Sequence, residues 1–370
     1  MFAFAILIED KKKKMHTSII QPTNTSKVYI DPQLGIRGYL SFSGSNHNLS
    51  AGGLRIQKGL TADKIERLSQ LMLLKQQLIG LAVNGAKCGL NLDPVSPNRA
   101  LALKGFLNFL KPYIEKGFSV GGDLNTSFSE IDGIANELGI SSIKNAIANQ
   151  QGLTENEFKK RIDLLNVNQG GLSLGQRRAG HATAQAVLSV LKNQKIPIAN
   201  AKIGLQGFGT MGRATALSLW EQGLKVKTIT DKSGSLTNNA GFEIPGLLRR
   251  ATPGVELEHL KIRGDSFDIP TSLFEQELDI LVLAAIEDAI PGDFAQKLKA
   301  KAVLVAANLG LSEAAEKILN KRGIMVIPDF VGGCGGSASM EALFGPATMP
   351  TPEKFLQNIA FIITTIRKLL

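Results

Sequence analysis

Cysteine is scarce: only Cys88 and Cys334 occur in 370 residues. They stand too far apart to form a metal-binding motif and allow at most one disulfide, so a disulfide-stapled secreted scaffold is excluded, and a reducing cytoplasm is expected. Long apolar runs are lacking as well. The opening MFAFAILI is too short to span a bilayer, and its lysines follow the apolar run where a secretory signal has them in front. No membrane role is expected, and residues 1–16 are expected to form a disordered extension, with Met15 as a second possible start. A dense basic block is missing too, apart from Lys11 to Lys14. The formal charge of +10 is spread along the chain among acids, which fits small anionic ligands and not nucleic acid.

What is present is the composition of a soluble globular protein, 44% apolar and 20% charged, in a chain too long for one ordinary core. The expected fold class is α/β in two domains, an N-terminal one over residues 17–175 and a C-terminal one over 176–345, the second read from the glycine motif described below as a Rossmann, doubly wound nucleotide-binding domain. Residues 346–370 are expected to form a helix packing back on the first domain.

The first domain is organised around Leu71 to Pro94, which sets Lys75 and Lys87 twelve residues apart. Thr61 reads as an N-cap, and Ile65, Leu68, Met72 and Ile79 make one apolar helical stripe with Lys75 on it. A buried ammonium needs a carboxylate or a bound anion, or it gives up its proton. Lys87 lies among small residues, Asn84-Gly85-Ala86-Lys87-Cys88-Gly89, where backbone can approach a ligand closely. The bland alternative makes Lys75 a snorkelling helix lysine and Lys87 a surface-loop lysine. Phe118 to Thr126 reads as a strand ending in a glycine turn that presents Asp123, a candidate proton-transfer group. Residues 129–161 read as helical with polar breaks, Asn166 to Gly175 as a linker, and Gly180 to Lys192 as a helix in which His181 is structural or solvated.

In the second domain Lys202 to Gln206 is strand-like and Gly207-Phe208-Gly209-Thr210-Met211-Gly212 is G-x-G-x-x-G. A helix follows, then a strand from Val226 to Thr230 closed by Asp231, nineteen residues past the last glycine. That context marks a dinucleotide site: a tight turn, backbone close to a pyrophosphate, and an acid for a ribose hydroxyl. Lys232 beside Asp231 leaves NADP possible next to NAD. Asp279 to Ala285, Ala302 to Ala307 and Met325 to Pro328 read as buried parallel strands, with Asn308 at a carboxyl edge. Gly332 to Ser339 reads as a second glycine-rich turn.

Taken in order, GGLR, LMLLKQQLIGLAVNGAKCGLNLDP, VGGDLNTS, QGFGTMG, DILVLAA, AAN and DFVGGCGG resemble the amino-acid dehydrogenase family that includes the glutamate, leucine, phenylalanine and valine enzymes, over roughly Ser50 to Met340. The resemblance implies a substrate domain facing a nucleotide domain across a cleft, and oxidative deamination of an L-amino acid to the 2-oxo acid coupled to nicotinamide reduction. It implies that Lys75 binds the α-carboxylate with Gly52 and Gly53 beside it, that Lys87 activates water, and that Asp123 shuttles protons. It places Asn308 and Ala285 near the nicotinamide. Glutamate-specific members usually carry a lysine where this chain has Ala51 and a serine where it has Met340. Both departures leave a side-chain carboxylate unpaired, so an apolar or aromatic substrate is expected, with glutamate dehydrogenase as an alternative. Arg178-Ala179-Gly180-His181 departs from the family's usual Thr-Gly. A homo-oligomer is expected from the relatives, no metal is expected, and a catalytically weak nucleotide-binding relative is the reading from another class.

Overall fold

A computed structural model describes residues 25–251 and 255–369, with side chains described through residue 366. The expectations for residues 1–16 lie outside them. Two compact units emerge, one ending at Lys159 and one running from Lys160 to the C-terminus. The division therefore falls inside a helix, ahead of the linker read from sequence.

The N-terminal unit is built on a five-stranded sheet. Its strands are β1 (Thr25–Asp31), β2 (Ile36–Ser43), β3 (Ser50–Ile56), β4 (Asn84–Asn91) and β5 (Phe118–Gly122). Their order is β1-β2-β4-β3-β5; β3 runs parallel to β4 and β5, while β2 runs antiparallel to β1 and β4. Its helices are α1 (Ala62–Leu78), α2 (Arg99–Glu115), α3 (Phe128–Glu137) and α4 (Asn145–Gln151), with α5 (Glu155–Leu164) crossing the division. The stretch read as helical with polar breaks is thus three separate helices. One sheet face is apolar: Leu40, Leu54, Ile56, Leu90 and Val120 pack with Phe106, Leu107 and Leu110 of α2. Strand alternation sends Gly53, Arg55 and Lys87 to the other face.

Asn84 to Gly89, read as small residues that let the backbone approach a ligand, is the central strand β4, buried over seven of its eight residues, and not the surface loop of the bland alternative. Its glycines serve packing. A β-carbon at Gly85 would collide with the Ser69 carbonyl and lie 2.8 Å from the Leu73 side chain, so α1 can rest directly on β4 only because Gly85 has none. The Thr61 hydroxyl accepts from the Lys64 N–H at 3.3 Å, the N-cap expected from sequence.

In the C-terminal unit, a hairpin of β6 (Asn168–Gln169) and β7 (Leu172–Ser173) occupies the stretch read as a linker and leads into α6 (Leu174–Asn193) through a capping box of Ser173 and Gln176. Then come β8 (Ile203–Gln206), α7 (Thr210–Glu221), β9 (Val226–Thr230), β10 (Ser235–Thr237), α8 (Ile244–Arg250), β11 (Ser266–Asp268), β12 (Ile280–Leu283), α9 (Gly292–Lys297), β13 (Ala302–Val305), α10 (Glu313–Lys321) and β14 (Met325–Ile327). The sheet order is β11-β10-β9-β8-β12-β13-β14, parallel from β9 to β14, with β10 and β11 antiparallel at one edge. The order reverses at β8, where β9 lies on one side and β12 on the other. This is the switch point at which doubly wound sheets bind ligands beyond their carboxyl ends.

The chain closes with α11 (Asp329–Gly332), α12 (Gly335–Phe344) and α13 (Pro352–Leu369). The stretch read as a second glycine-rich turn is therefore mostly helix. A β-carbon at Gly335 would come 2.6 Å from the Ala179 carbonyl and 2.7 Å from the Ala182 β-carbon, so glycine there is set by contact with α6. The last helix packs on α6 and α12, inside its own unit. Its apolar stripe, Phe355, Ile359, Ile363 and Ile366, is buried. Among the described residues no helix is long and apolar enough to cross a membrane, and no three His, Cys, Asp or Glu side chains cluster as a metal site.

Candidate active site

Three strands bring the charged centre of the N-terminal unit together. Lys87, fourth residue of β4, is 2% exposed, and its Nζ lies 2.8 Å from Asp123 Oδ2. Arg55 of β3, 3% exposed, donates from Nε to the same oxygen at 2.7 Å. The turn after β5 is stitched to β3, which fixes the acid. The Asp123 N–H donates to the Leu54 carbonyl at 3.1 Å, the Thr126 hydroxyl to the same carbonyl at 2.6 Å, and the Asn125 amide to the Ile56 carbonyl at 2.9 Å. Asn125 takes φ +60°, a left-handed conformation that asparagine tolerates.

Gly53 has to be glycine: a β-carbon would sit 2.8 Å from the Asp123 β-carbon and 3.4 Å from Lys87 Nζ. At Gly52 it would collide with the Ala86 carbonyl, so β3 and β4 approach more closely here than a side chain allows. The register passes from Ala51 opposite Gly85 to Leu54 opposite Cys88 across these two glycines. Lys75 is 4% exposed on α1, the helix laid against β2 and β4.

Burial lowers the Lys87 pKa from its ordinary value, and Asp123 offsets part of that effect. Burial alone would raise Asp123, but Lys87 and then Arg55 overcome it and hold the carboxyl below its usual range. The resting pair therefore favours Asp123 as the carboxylate, and the Lys87 proton is held less tightly than an ordinary lysine's. The neighbouring Cys88 thiol is pushed up by burial and stays protonated. The sequence offered Lys87 and Asp123 as separate candidates; it assigned nothing to Arg55. Its signal was the period of two along GGLR, which puts Arg55 on the same strand face as Gly53.

In the C-terminal unit the glycine turn leaves β8 at the switch point. Gly207 has φ +97°, its N–H donates to the Thr230 carbonyl at 2.6 Å, and a β-carbon there would lie 2.7 Å from that of Ala285. A β-carbon at Gly212 would collide with the Gly207 carbonyl. Gly209 is the N-cap of α7 and brings no side-chain hydrogen bond to that end. Thr210 opens the helix, and Met211 Sδ accepts from the Thr183 hydroxyl at 3.6 Å. Arg213 holds the turn from within, donating to the Phe208 carbonyl at 2.8 Å with its guanidinium 5.6 Å from the Phe208 ring centre.

Asp231 follows β9, and its Oδ1 accepts from the Ser233 N–H at 2.7 Å and the Ser233 hydroxyl at 2.6 Å, while Oδ2 accepts from the Leu257 N–H at 3.2 Å. A carboxylate oxygen has two lone pairs, so Oδ2 keeps capacity for one more donor. Lys232 is exposed and 3.2 Å from Glu256. Asn308 lies between β13 and Leu309, whose N–H donates to Asp329 at 2.7 Å with φ +54°.

Where the sequence departed from the family, the structure gives each residue a place. Arg178 of α6 donates to the Gly336 carbonyl at 3.3 Å and the Ser339 hydroxyl at 2.7 Å, next to Met340 on α12, and burial lowers its pKa. Ser337 Oγ is buried with no hydrogen-bond partner among the described residues. His181 is buried, its Nδ1 3.1 Å from the Ser218 hydroxyl, and burial and Arg177 push its pKa down to about 4. It is structural. Gly180 takes the space of a side chain for contact with α7, since a β-carbon would come 2.5 Å from that of Ala214.

Comparison with known proteins follows the same division. Residues 170–365 match the model described as Glutamate/Leucine/Phenylalanine/Valine dehydrogenase, and residues 27–139 match Glu/Leu/Phe/Val dehydrogenase, dimerisation domain. The NADP-specific glutamate dehydrogenase A1 of Halobacterium salinarum is 27% identical over 295 residues, 77% of this chain and 66% of that protein. The catabolic NAD-specific glutamate dehydrogenase RocG of Bacillus subtilis is 28% identical over 316 residues, 81% of this chain and 68% of that protein. The chain thus spans about two thirds of the length of these relatives. The hetero-hexameric glutamate dehydrogenase of Thermus thermophilus, in its Leu-bound form, shares the fold at a TM-score of 0.75 and 21% identity, covering 99% of this chain and 88% of that one.

Proposed function

The chain belongs to the glutamate, leucine, phenylalanine and valine dehydrogenase family, and from that membership we propose that it oxidatively deaminates an L-amino acid, or runs the reverse reaction, with NAD or NADP. The observation that carries the reading is the buried pair of Lys87 and Asp123, 2.8 Å apart, braced by Arg55. A structural ion pair has no need of a third buried charge on one carboxylate oxygen, whereas acid–base chemistry needs a lysine whose proton is loosely held.

The residues of the C-terminal unit fit a dinucleotide. Gly207 and Gly212 keep the turn bare, the start of α7 has no side-chain cap, and Asp231 retains an acceptor site for a ribose hydroxyl. A nicotinamide held by these residues would supply the hydride acceptor for oxidation at the substrate Cα. The protein does the rest. Lys75 binds the α-carboxylate. Lys87 in its neutral form takes a proton from water, and the oxygen adds to the imine carbon. Asp123 receives and returns the proton of the departing amino group, and ammonia leaves with the 2-oxo acid formed. Asn308 orients substrate and nicotinamide.

Ala51 and Met340 argue for an apolar or aromatic side chain. The relatives named are glutamate dehydrogenases and give that lean no support, so a glutamate-type substrate fits them better. A match to a family dimerisation domain and a hexameric structural neighbour support self-association, and β1 offers an edge with Val28 and Ile30 exposed.

A panel of amino acids, each assayed with both cofactors for nicotinamide reduction, tests the reading. Turnover with at least one is expected. No turnover with any, alongside measurable NAD or NADP binding, would leave a nucleotide-binding relative without this activity.

A further inference from the structure

The strand face that holds Lys87 and Asp123 carries another ammonium that the reaction above does not use. Gly53 and Gly121 are register partners on β3 and β5. A β-carbon at Gly53 would lie 3.4 Å from Lys87 Nζ, and one at Gly121 would lie 3.5 Å from Lys144 Nζ. Neighbouring strands are about 4.8 Å apart, so the two ammonium groups stand over one patch of bare backbone, within about 12 Å of each other. A 2-amino acid that reacts beside Lys87 can therefore extend its side chain toward Lys144.

Lys144 is 8% exposed, and its Nζ donates to the Ser119 hydroxyl at 3.2 Å. Ser119 is the register partner of Ala51, the position whose small side chain argued against a charged substrate. A cation absent from β3 at Ala51 thus stands one strand over, on the segment that runs beside the edge strand β5.

That segment is held firmly. The Val120 N–H donates to the Ile143 carbonyl at 2.9 Å, and the Ser142 hydroxyl and Ile143 N–H both donate to Asp132 Oδ1 at 2.9 Å. Helix capping does not account for a lysine here. Lys144 occupies the N-cap of α4 without a side-chain cap bond, and a cation at that end opposes the helix dipole.

We propose that Lys144, oriented by Ser119, binds the distal carboxylate of the substrate and makes a dicarboxylic 2-amino acid the preferred one. Lys144 is a specificity-determining residue in this assignment, which rests on the amino-acid dehydrogenase reading.

The test compares kcat/KM for L-glutamate with that for L-norvaline, its counterpart without the distal carboxylate, in wild type and Lys144→Gln. A charge-assisted hydrogen bond implies that the ratio falls about 10- to 100-fold, mainly through KM for glutamate. Ser119→Ala moves the ratio in the same direction and serves where Lys144→Gln folds poorly, and Lys144→Arg restores part of it. Calorimetric titration with 2-oxoglutarate and 2-oxopentanoate reads the same preference without turnover. A wild type that turns over no amino acid, yet binds 2-oxoglutarate more tightly in a Lys144-dependent way, would overturn the activity and keep this assignment. A ratio kept in both variants, or lost in Arg178→Gln while Lys144→Gln keeps it, would overturn the assignment alone.

Discussion

The two polar centres of this chain are built on opposite terms. The centre in the N-terminal unit is made of charged side chains, Lys87, Asp123 and Arg55, over a floor of glycines. The centre in the C-terminal unit is made of main chain: a glycine turn that leaves a helix end bare, with its nearby arginine turned inward to hold Phe208. The buried titratable group near that helix, His181, is kept neutral. One unit buries charges against one another, the other keeps side chains away from a helix end. The difference teaches that, on the proposed function, charge belongs to the reacting site and shape to the site that carries the cofactor.

The largest effect expected from this contrast is on rate. Replacing Lys87 with Ala removes an amine whose proton is loosened by burial, and initial rates of nicotinamide reduction should fall ~10²–10⁴-fold. A near wild-type rate would break the comparison, since the charged centre would then be structural like its neighbours. Acid stability comes next. His181 has its pKa pushed down to about 4 from 6.5, so the unfolded chain takes up a proton at pH values where the folded one does not. Its contribution is fully present above pH 6.5 and is lost as pH falls toward 4, by about 3 kcal/mol in all. Urea unfolding across that window should show the slope, and His181→Gln should flatten it. Asp123, with its pKa lowered, loses its contribution only further into acid, so the two units separate on a pH axis. The smallest effect is steric. Gly212→Ala should weaken NAD or NADP binding by ~1–3 kcal/mol because the turn must shift, whereas Gly209→Ala meets nothing within 4 Å and should change binding less. Equal losses at both positions would show that chain flexibility, and not the close approach, is what the glycines supply.

How much of this was legible in the sequence follows from the same contrast. The glycine turn is contiguous, so a strand, a turn, a helix and an acid in one short stretch could be read together. Lys87 and Asp123 were each legible as candidates, but their contact depends on β4 and β5 both flanking β3, an arrangement that no local pattern encodes. Arg55 and Lys144 escaped for that reason: their relevance comes from register, Gly53 against Gly121 and Ala51 against Ser119. Glycines misled where they serve packing. In NGAKCG the glycines were credited to a ligand's approach, when Gly85 is bare to admit α1; GGCGGSAS looked like a turn, when Gly335 is bare to admit α6.

The sharing of one carboxylate oxygen between Arg55 and Lys87 has a consequence for repeated cycling. A guanidinium keeps its charge at every pH at which the chain is folded. Asp123 therefore has a permanent counterion, and on the proposed reaction Lys87 can shed and regain its proton without leaving the carboxylate unpaired. The stationary charge bears the electrostatic strain, and the mobile one is released to do chemistry.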